Sequence, residues 1–216
     1  MDDPVDSLAE LEGNLSDIEF ANAVFGGTAP VVRIVRETGA RTVLDVGCGS
    51  ADIPLALVRD AQRRGGDLDV TALDHSEQML EIALRRTNAH PRLHFVAADG
   101  ASLPFAAGSF DVVTCNLALH HFEPPAARAL LAEMRRVARL TPLICDLRRS
   151  RAAFAAVWTL SRVFTHNRLT RHDGPLSVQR AYTPDEARTI AVDAGWRAPV
   201  VRNEPFFRMT LTDRRT

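Results

Sequence analysis

The sequence predicts a doubly wound α/β domain: a largely parallel sheet with helices on both faces, a helical extension before it and a helix/loop cap after it. Two observations carry this reading. Between residues 42 and 145, five short apolar, often β-branched runs alternate with helical patterns. Strands joined through helices of about ten or more residues need right-handed crossovers, and so a parallel sheet buried on both faces. Glycines and acids also gather just past several of these runs, at the carboxyl ends of the strands, where open α/β sheets bind ligands.

Taken in order, residues up to 40 read as helical segments. Asn14-Leu15-Ser16-Asp17 is a start signal, and Gly26-Gly27-Thr28 a break before a segment from Pro30 to Thr38. Strands are expected at 42–46, 69–73, 92–97, 110–115 and 141–145, with helices at 51–64, 76–86 and 124–139 between them. Beyond the fifth strand an amphipathic helix is expected at 151–164 and a polar loop at 165–180. A helix from Pro184 and two strand-like runs complete the chain. Thr183-Pro184-Asp185-Glu186 has the form of a capping box with proline in the first helical turn. With no repeat and no long Pro/Gly/Ser linker, residues 1–216 are expected to form one domain: extension 1–40, core 41–147, cap and final strands 148–216.

Composition narrows the function. With 46% hydrophobic and 25% charged residues, the 216-residue chain is too apolar for disorder. Three cysteines do not suit a disulfide scaffold, no apolar run reaches the length of a membrane helix, and the acidic start is unlike a signal peptide. A cytoplasmic, reducing setting is expected. A sequence pI near 6.7 and the absence of clustered basic and aromatic residues argue against a nucleic-acid partner. All 26 cationic side chains are Arg, so Schiff-base and Lys-nucleophile chemistry is excluded. Residues 1–125 carry 9 basic and 19 acidic side chains, whereas residues 126–216 carry 17 and 8.

The chemistry sits at the strand ends. Asp45-Val46-Gly47-Cys48-Gly49-Ser50-Ala51 closes the first strand and opens a helix. Gly47 and Gly49 let backbone approach a ligand, and the helix N-terminus supplies unpaired N–H groups. Asp74 ends the second strand, where a carboxylate can accept from both hydroxyls of a ribose. Asp99-Gly100 ends the third. Asp45 would repel a pyrophosphate but suits an ammonium, so a ligand with an amino-acid tail and an adenosine fits better than a dinucleotide. Each acid could instead serve as a helix cap.

These residues resemble class I S-adenosylmethionine-dependent methyltransferases. The resemblance rests on Val43-Leu44-Asp45-Val46-Gly47-Cys48-Gly49-Ser50-Ala51-Asp52, Leu73-Asp74-His75-Ser76 and Asp99-Gly100-Ala101-Ser102-Leu103-Pro104-Phe105. Gly108-Ser109-Phe110-Asp111-Val112-Val113 and Asn116-Leu117-Ala118-Leu119-His120-His121-Phe122 are similar to the branch with the ubiquinone/menaquinone C-methyltransferases. The resemblance spans about residues 40–146. Ala51 stands where the family usually has a third glycine. It implies a seven-stranded Rossmann-like sheet and S-adenosylmethionine as cofactor. Gly47, Gly49, Ser50 and Asn116 would then lie near its methionine part, Asp74 near the ribose, Asp99 and Gly100 near the adenine, and His75 also at the cofactor.

His120 and His121 follow the fourth strand where acceptors sit, as a general base or as structural residues. His172 in the polar segment, near His166, Asn167 and Asp173, is a second candidate base. The helix at 152–164 reads as a packed helix, a lid over an apolar acceptor, or a face that meets lipid. Cys48, Cys115 and Cys145 fall at neighbouring strand ends without a metal-ligand pattern, and no metal is expected. The segment from Asp146 to Pro184 resembles bacterial methyltransferases that accompany type III polyketide synthases, which implies a phenolic or pyrone acceptor methylated on oxygen. The expected partner is therefore a small molecule. The alternatives are C-methylation of a quinol-like ring, a protein or RNA methyltransferase, and a non-catalytic cofactor-binding protein.

Overall fold

The computed structural model describes residues 13, 15–17, 19, 22, 26–165 and 167–213. Residues 1–12, 14, 18, 20, 21 and 23–25 of the expected N-terminal extension, and His166, lie outside the described residues. Residues 13, 15–17, 19 and 22 are helical.

Seven strands form one sheet in the order β3-β2-β1-β4-β5-β7-β6. They are β1 (Thr42–Val46), β2 (Asp69–Asp74), β3 (Leu93–Ala97), β4 (Phe110–Asn116), β5 (Ala138–Leu147), β6 (Val200–Glu204) and β7 (Arg208–Thr212). The first five run parallel; β7 is antiparallel to both β5 and β6. From residue 26 on, the helices are α1 (Thr28–Thr38), α2 (Asp52–Arg63), α3 (Glu77–Arg86), α4 (Pro124–Val137), α5 (Arg151–Phe164), α6 (Arg168–Arg180) and α7 (Pro184–Asp193), with a 3₁₀ turn at Leu119–His121.

Alternation along the central strands explains the two layers. Leu44 and Val46 of β1 and Val113 and Cys115 of β4 join Leu130, Leu131 and Met134 of α4. Val43, Val70 and Val112 point the other way, onto Val31, Ile34 and Val35 of α1 and Ile53 and Leu57 of α2. Successive strand side chains face opposite sides, so a run apolar at every position must be covered twice. Strand order reverses between β1 and β4, which opens a crevice above their carboxyl ends.

Two expectations need correction. Residues 165–180 are not a polar loop, because most of them form α6. Asn167 caps this helix, its Oδ1 accepting from the N–H groups of Leu169 (2.9 Å) and Thr170 (3.4 Å). Gly174 and Pro175, residue types that disfavour a helix interior, both lie inside α6. A Cβ on Gly174 would stand 3.2 Å from Val157 Cγ1, so the glycine serves a close crossing with α5, and Pro175 is buried. The fifth strand is also longer than 141–145. It starts at Ala138, which pairs with Phe110 of β4, and Arg139 Nε donates to Asp111 Oδ1 at 2.8 Å. It reaches Leu147 through pairing of Asp146 and Leu147 with Met209 and Arg208. The capping box at α7 is present: Thr183 N–H donates to Glu186 Oε2 (2.8 Å) and Glu186 N–H to Thr183 Oγ1 (3.3 Å).

Candidate functional site

A cavity of about 560 Å³ opens above the carboxyl ends of β1–β4. All nine residues assigned from sequence to cofactor binding line it: Asp45, Gly47, Gly49, Ser50, Asp74, His75, Asp99, Gly100 and Asn116.

The turn after β1 is held by backbone. Gly47 and Cys48 donate N–H to Leu73 O at 2.8 and 3.0 Å, and Gly49 donates to Asp74 Oδ2 at 3.0 Å. Gly47 has φ 73°, and a Cβ on it would lie 3.0 Å from Ala118 Cβ, so this position needs glycine twice over. Ala51 also takes the left-handed conformation, with φ 59°, as the residue before α2. That is the physical reason a glycine suits position 51; alanine bears a modest strain there.

Asp45 is buried at the end of β1. Its Oδ1 accepts from Thr114 Oγ1 (2.6 Å) and Asn116 Nδ2 (2.7 Å). Burial pushes its pKa up to about 7, and the bonds from Thr114 and Asn116 oppose that rise. Asn116 Oδ1 is buried and has no hydrogen-bond partner among the described residues. An orphaned acceptor beside a cavity is costly unless a donor arrives. The next residue, Leu117, has φ 50°, a strained conformation for leucine in a cavity wall.

Asp74 spends one bond per oxygen within the protein, Oδ2 on Gly49 N–H and Oδ1 on Ser76 N–H (3.0 Å), which leaves further acceptor capacity. Ser76 caps α3. His75 is exposed, with Nδ1 3.4 Å from Asp74 Oδ1. Asp99 is exposed and its Oδ1 accepts from Ala101 N–H at 2.8 Å. Gly100 has a packing role as well: a Cβ there would meet Val46 Cγ1 at 2.8 Å and Leu130 Cδ1 at 3.2 Å.

The three candidate bases separate. His120 is buried; its N–H donates to Asp146 Oδ2 (3.1 Å) and its Nδ1 lies 2.7 Å from Asp146 Oδ1. Burial alone would raise the Asp146 pKa, but the His120 imidazole and the backbone N–H groups hold it below the usual carboxylate range. His120 thus clamps the 3₁₀ turn to β5 and is not among the cavity-lining residues. His121 is exposed and lines the cavity beside Phe122, its ring 4.3 Å from that of His120. His172 sits exposed on α6, Nδ1 3.0 Å from Asp173 Oδ1, away from the lining. The three cysteines are buried and unpaired, their thiols pushed up by burial. Among the described residues no group of three His, Cys, Asp or Glu could hold a metal.

Sequence reasoning missed Asp52 and Asn22. Asp52, in the first turn of α2, lines the cavity, and its Oδ2 accepts from Asn22 Nδ2 at 2.9 Å. An acid just past the glycine turn was a readable signal for Asp52. Nothing local marks Asn22, which arrives from 30 residues upstream.

Residues 43–140 match the family described as a methyltransferase domain. The chain is 38% identical over 107 residues to the demethylmenaquinone methyltransferase of Staphylococcus haemolyticus, covering 50% of this chain and 43% of that protein. It is 28% identical over 176 residues to a ubiquinone/menaquinone biosynthesis C-methyltransferase of Rickettsia akari, covering 74% and 70%. The chain thus spans less than half the length of the first of these relatives. Its fold is similar to a SAM-dependent methyltransferase from Aquifex aeolicus (TM-score 0.63, 20% identity, 89% and 90% of the two chains). It is also similar to the magnesium protoporphyrin IX methyltransferase of Synechocystis with bound SAH (TM-score 0.60, 18% identity, 100% and 90%).

Proposed function

We propose that this chain, which belongs to the class I S-adenosylmethionine-dependent methyltransferases, methylates a hydroxyl of a phenolic or polyketide-type small molecule. The observation that carries the cofactor reading is the unpartnered Asn116 Oδ1 beside buried Asp45 in a cavity lined by all nine expected residues. Two acceptors in one wall suit an ammonium, which has three protons to donate. Asp74 keeps acceptor capacity for a ribose, and exposed Asp99 for an adenine amino group.

S-adenosylmethionine, when bound, supplies an electrophilic methyl group on a sulfonium. The chain's own part is to hold donor and acceptor close and aligned, the main requirement of an in-line displacement. Leu117, Ala118 and Phe122 form an apolar wall beside the methionine end. His121 in that wall takes the proton of an acceptor hydroxyl, which a phenol of pKa about 10 needs near neutral pH. His120 and Asp146 fix the turn that carries it.

The quinone C-methyltransferases among the relatives favour a second reading, methylation of an activated ring carbon. A methyl-transfer screen over phenols, pyrones and quinols, with mass-spectrometric detection and NMR assignment of the methylated atom, tests both. Methyl on phenolic oxygen supports the first, and methyl on ring carbon replaces it with the second. Tight cofactor binding with no turnover of any acceptor points to a non-catalytic binding protein.

A further inference from the structure

Along α5, Arg151, Ala155, Trp158, Arg162 and Val163 fall on one face, and all five are exposed, Trp158 by 45% and Val163 by 64%. The opposite face is packed: Ala153 and Ser161 are buried, and Val157 meets Gly174 of α6. A solvated helix face commonly mixes charges of both signs, as α7 does with exposed Asp185, Glu186, Arg188 and Asp193. The face of α5 has no acid. From Leu147 to His172 the chain carries six Arg and no Asp or Glu. Arg149 pairs with Glu186 of α7, whereas among the described residues Arg151 and Arg162 are in no ion pair with a carboxylate. Arg162 instead lies over the Trp158 ring, its Cζ 4.0 Å from the centroid. Phe206, 57% exposed, stands at the same end of the sheet, in the turn between β6 and β7. The carbonyl of the next residue, Phe207, accepts from Arg148 N–H at 2.7 Å, just before α5 begins.

We infer that α5 lies on the surface of an anionic phospholipid bilayer, with Trp158 and Val163 entering the interfacial layer and Arg151 and Arg162 meeting lipid phosphates. Each residue type suits that place. Tryptophan settles at the level of the headgroups, and a guanidinium pairs with phosphate through two hydrogen bonds at once. A stretch free of acids meets no repulsion from a negative surface. At 14 residues α5 is too short to span a bilayer, so the contact runs along its length. A nucleic acid would use the same cations but gain little from Val163. The contact needs neither cofactor nor acceptor, so it goes beyond the reading above. It also bears on that reading: α6 packs on both α5 and the 3₁₀ turn that carries His121. The docking face thus belongs to the same end of the sheet as the cavity, which suits an acceptor with an alkyl chain.

The test is co-sedimentation of the full chain with phosphatidylcholine vesicles, with and without phosphatidylglycerol. Binding at least about tenfold tighter to the anionic vesicles is expected, and added salt should weaken it. Trp158 emission should shift to the blue and be quenched by brominated lipid, while buried Trp196 stays unchanged. Trp158→Ala, and separately the pair Arg151→Glu with Arg162→Glu, should each weaken binding at least about tenfold. Melting temperatures should barely move, because all three side chains are exposed. The two variants are read separately, so one that melts early leaves the other to decide. Undiminished binding by the folded variants overturns the inference, as does equal affinity for neutral and anionic vesicles or binding to neither. Tighter binding to single-stranded RNA than to anionic vesicles assigns the face to nucleic acid and overturns it too.

Discussion

The Asn116 side chain donates to Asp45 Oδ1 at 2.7 Å, while its own Oδ1 lies buried without a partner among the described residues. The pair links β1 to β4 at the point where strand order reverses, and both residues line one cavity. Its energetics set stability against binding.

Because burial raises the Asp45 pKa to about 7, the folded protein holds this proton more tightly than the unfolded chain. Stability from this group is therefore greatest below pH 4, falls as pH rises toward 7, and stays reduced above it. Asp45→Asn removes the penalty. Thermal melts at pH 8 should show the free variant more stable than the native protein, by up to about 4 kcal/mol. The same variant should bind S-adenosylmethionine at least about tenfold more weakly, as a charged contact is lost. A variant less stable than the native protein at pH 8 refutes the burial argument.

Asp74→Ala removes acceptors for the N–H groups of Gly49 and Ser76 as well as any ribose contact. Cofactor affinity should drop by about a hundredfold, from a charged hydrogen bond and a disordered turn. Asp99→Ala, at an exposed site with one local bond, should cost less in affinity. Isothermal titration of the two variants side by side gives the order, and unchanged affinity in Asp74→Ala would remove it from the site.

Gly100→Ala places a methyl 2.8 Å from Val46 Cγ1 and 3.2 Å from Leu130 Cδ1. The overpacking should destabilise the fold by about 1–3 kcal/mol. Urea unfolding measures this; a change within about 0.5 kcal/mol would mean that β1 and α4 part easily.

The two adjacent histidines should respond differently. His121→Gln should lower kcat toward a phenolic acceptor by about a hundredfold, with the melting temperature little changed. His120→Gln breaks a buried pair with Asp146 and should act on stability, by about 3 kcal/mol. Melting curves and kcat for both variants decide it, and equal activity in His121→Gln removes the base.

The sheet was legible because its strands are apolar on both faces and its turns fall at the strand ends. Leu44 and Val46 pack on one side of β1 and Val43 on the other, so the run is apolar throughout. The α6 helix was hidden because Gly174 and Pro175 carry the local signals of a break, while the reason for helix there is tertiary, the crossing with Val157. Of the site, Gly47, Asp45 and Asp74 could be placed beside the cavity from sequence because they sit at strand ends. The partnership of His120 with Asp146 spans 26 residues, and that of Asn22 with Asp52 spans 30, so no local pattern announces either.

The central claim is that S-adenosylmethionine binds above the carboxyl ends of β1–β4. Hydrogen exchange of the native protein with and without S-adenosylmethionine tests it most directly. Slower exchange is expected in residues 45–53, 73–79, 98–101 and 115–118, with β6 and β7 unchanged. Binding without protection in those four segments, or protection concentrated elsewhere, contradicts the account.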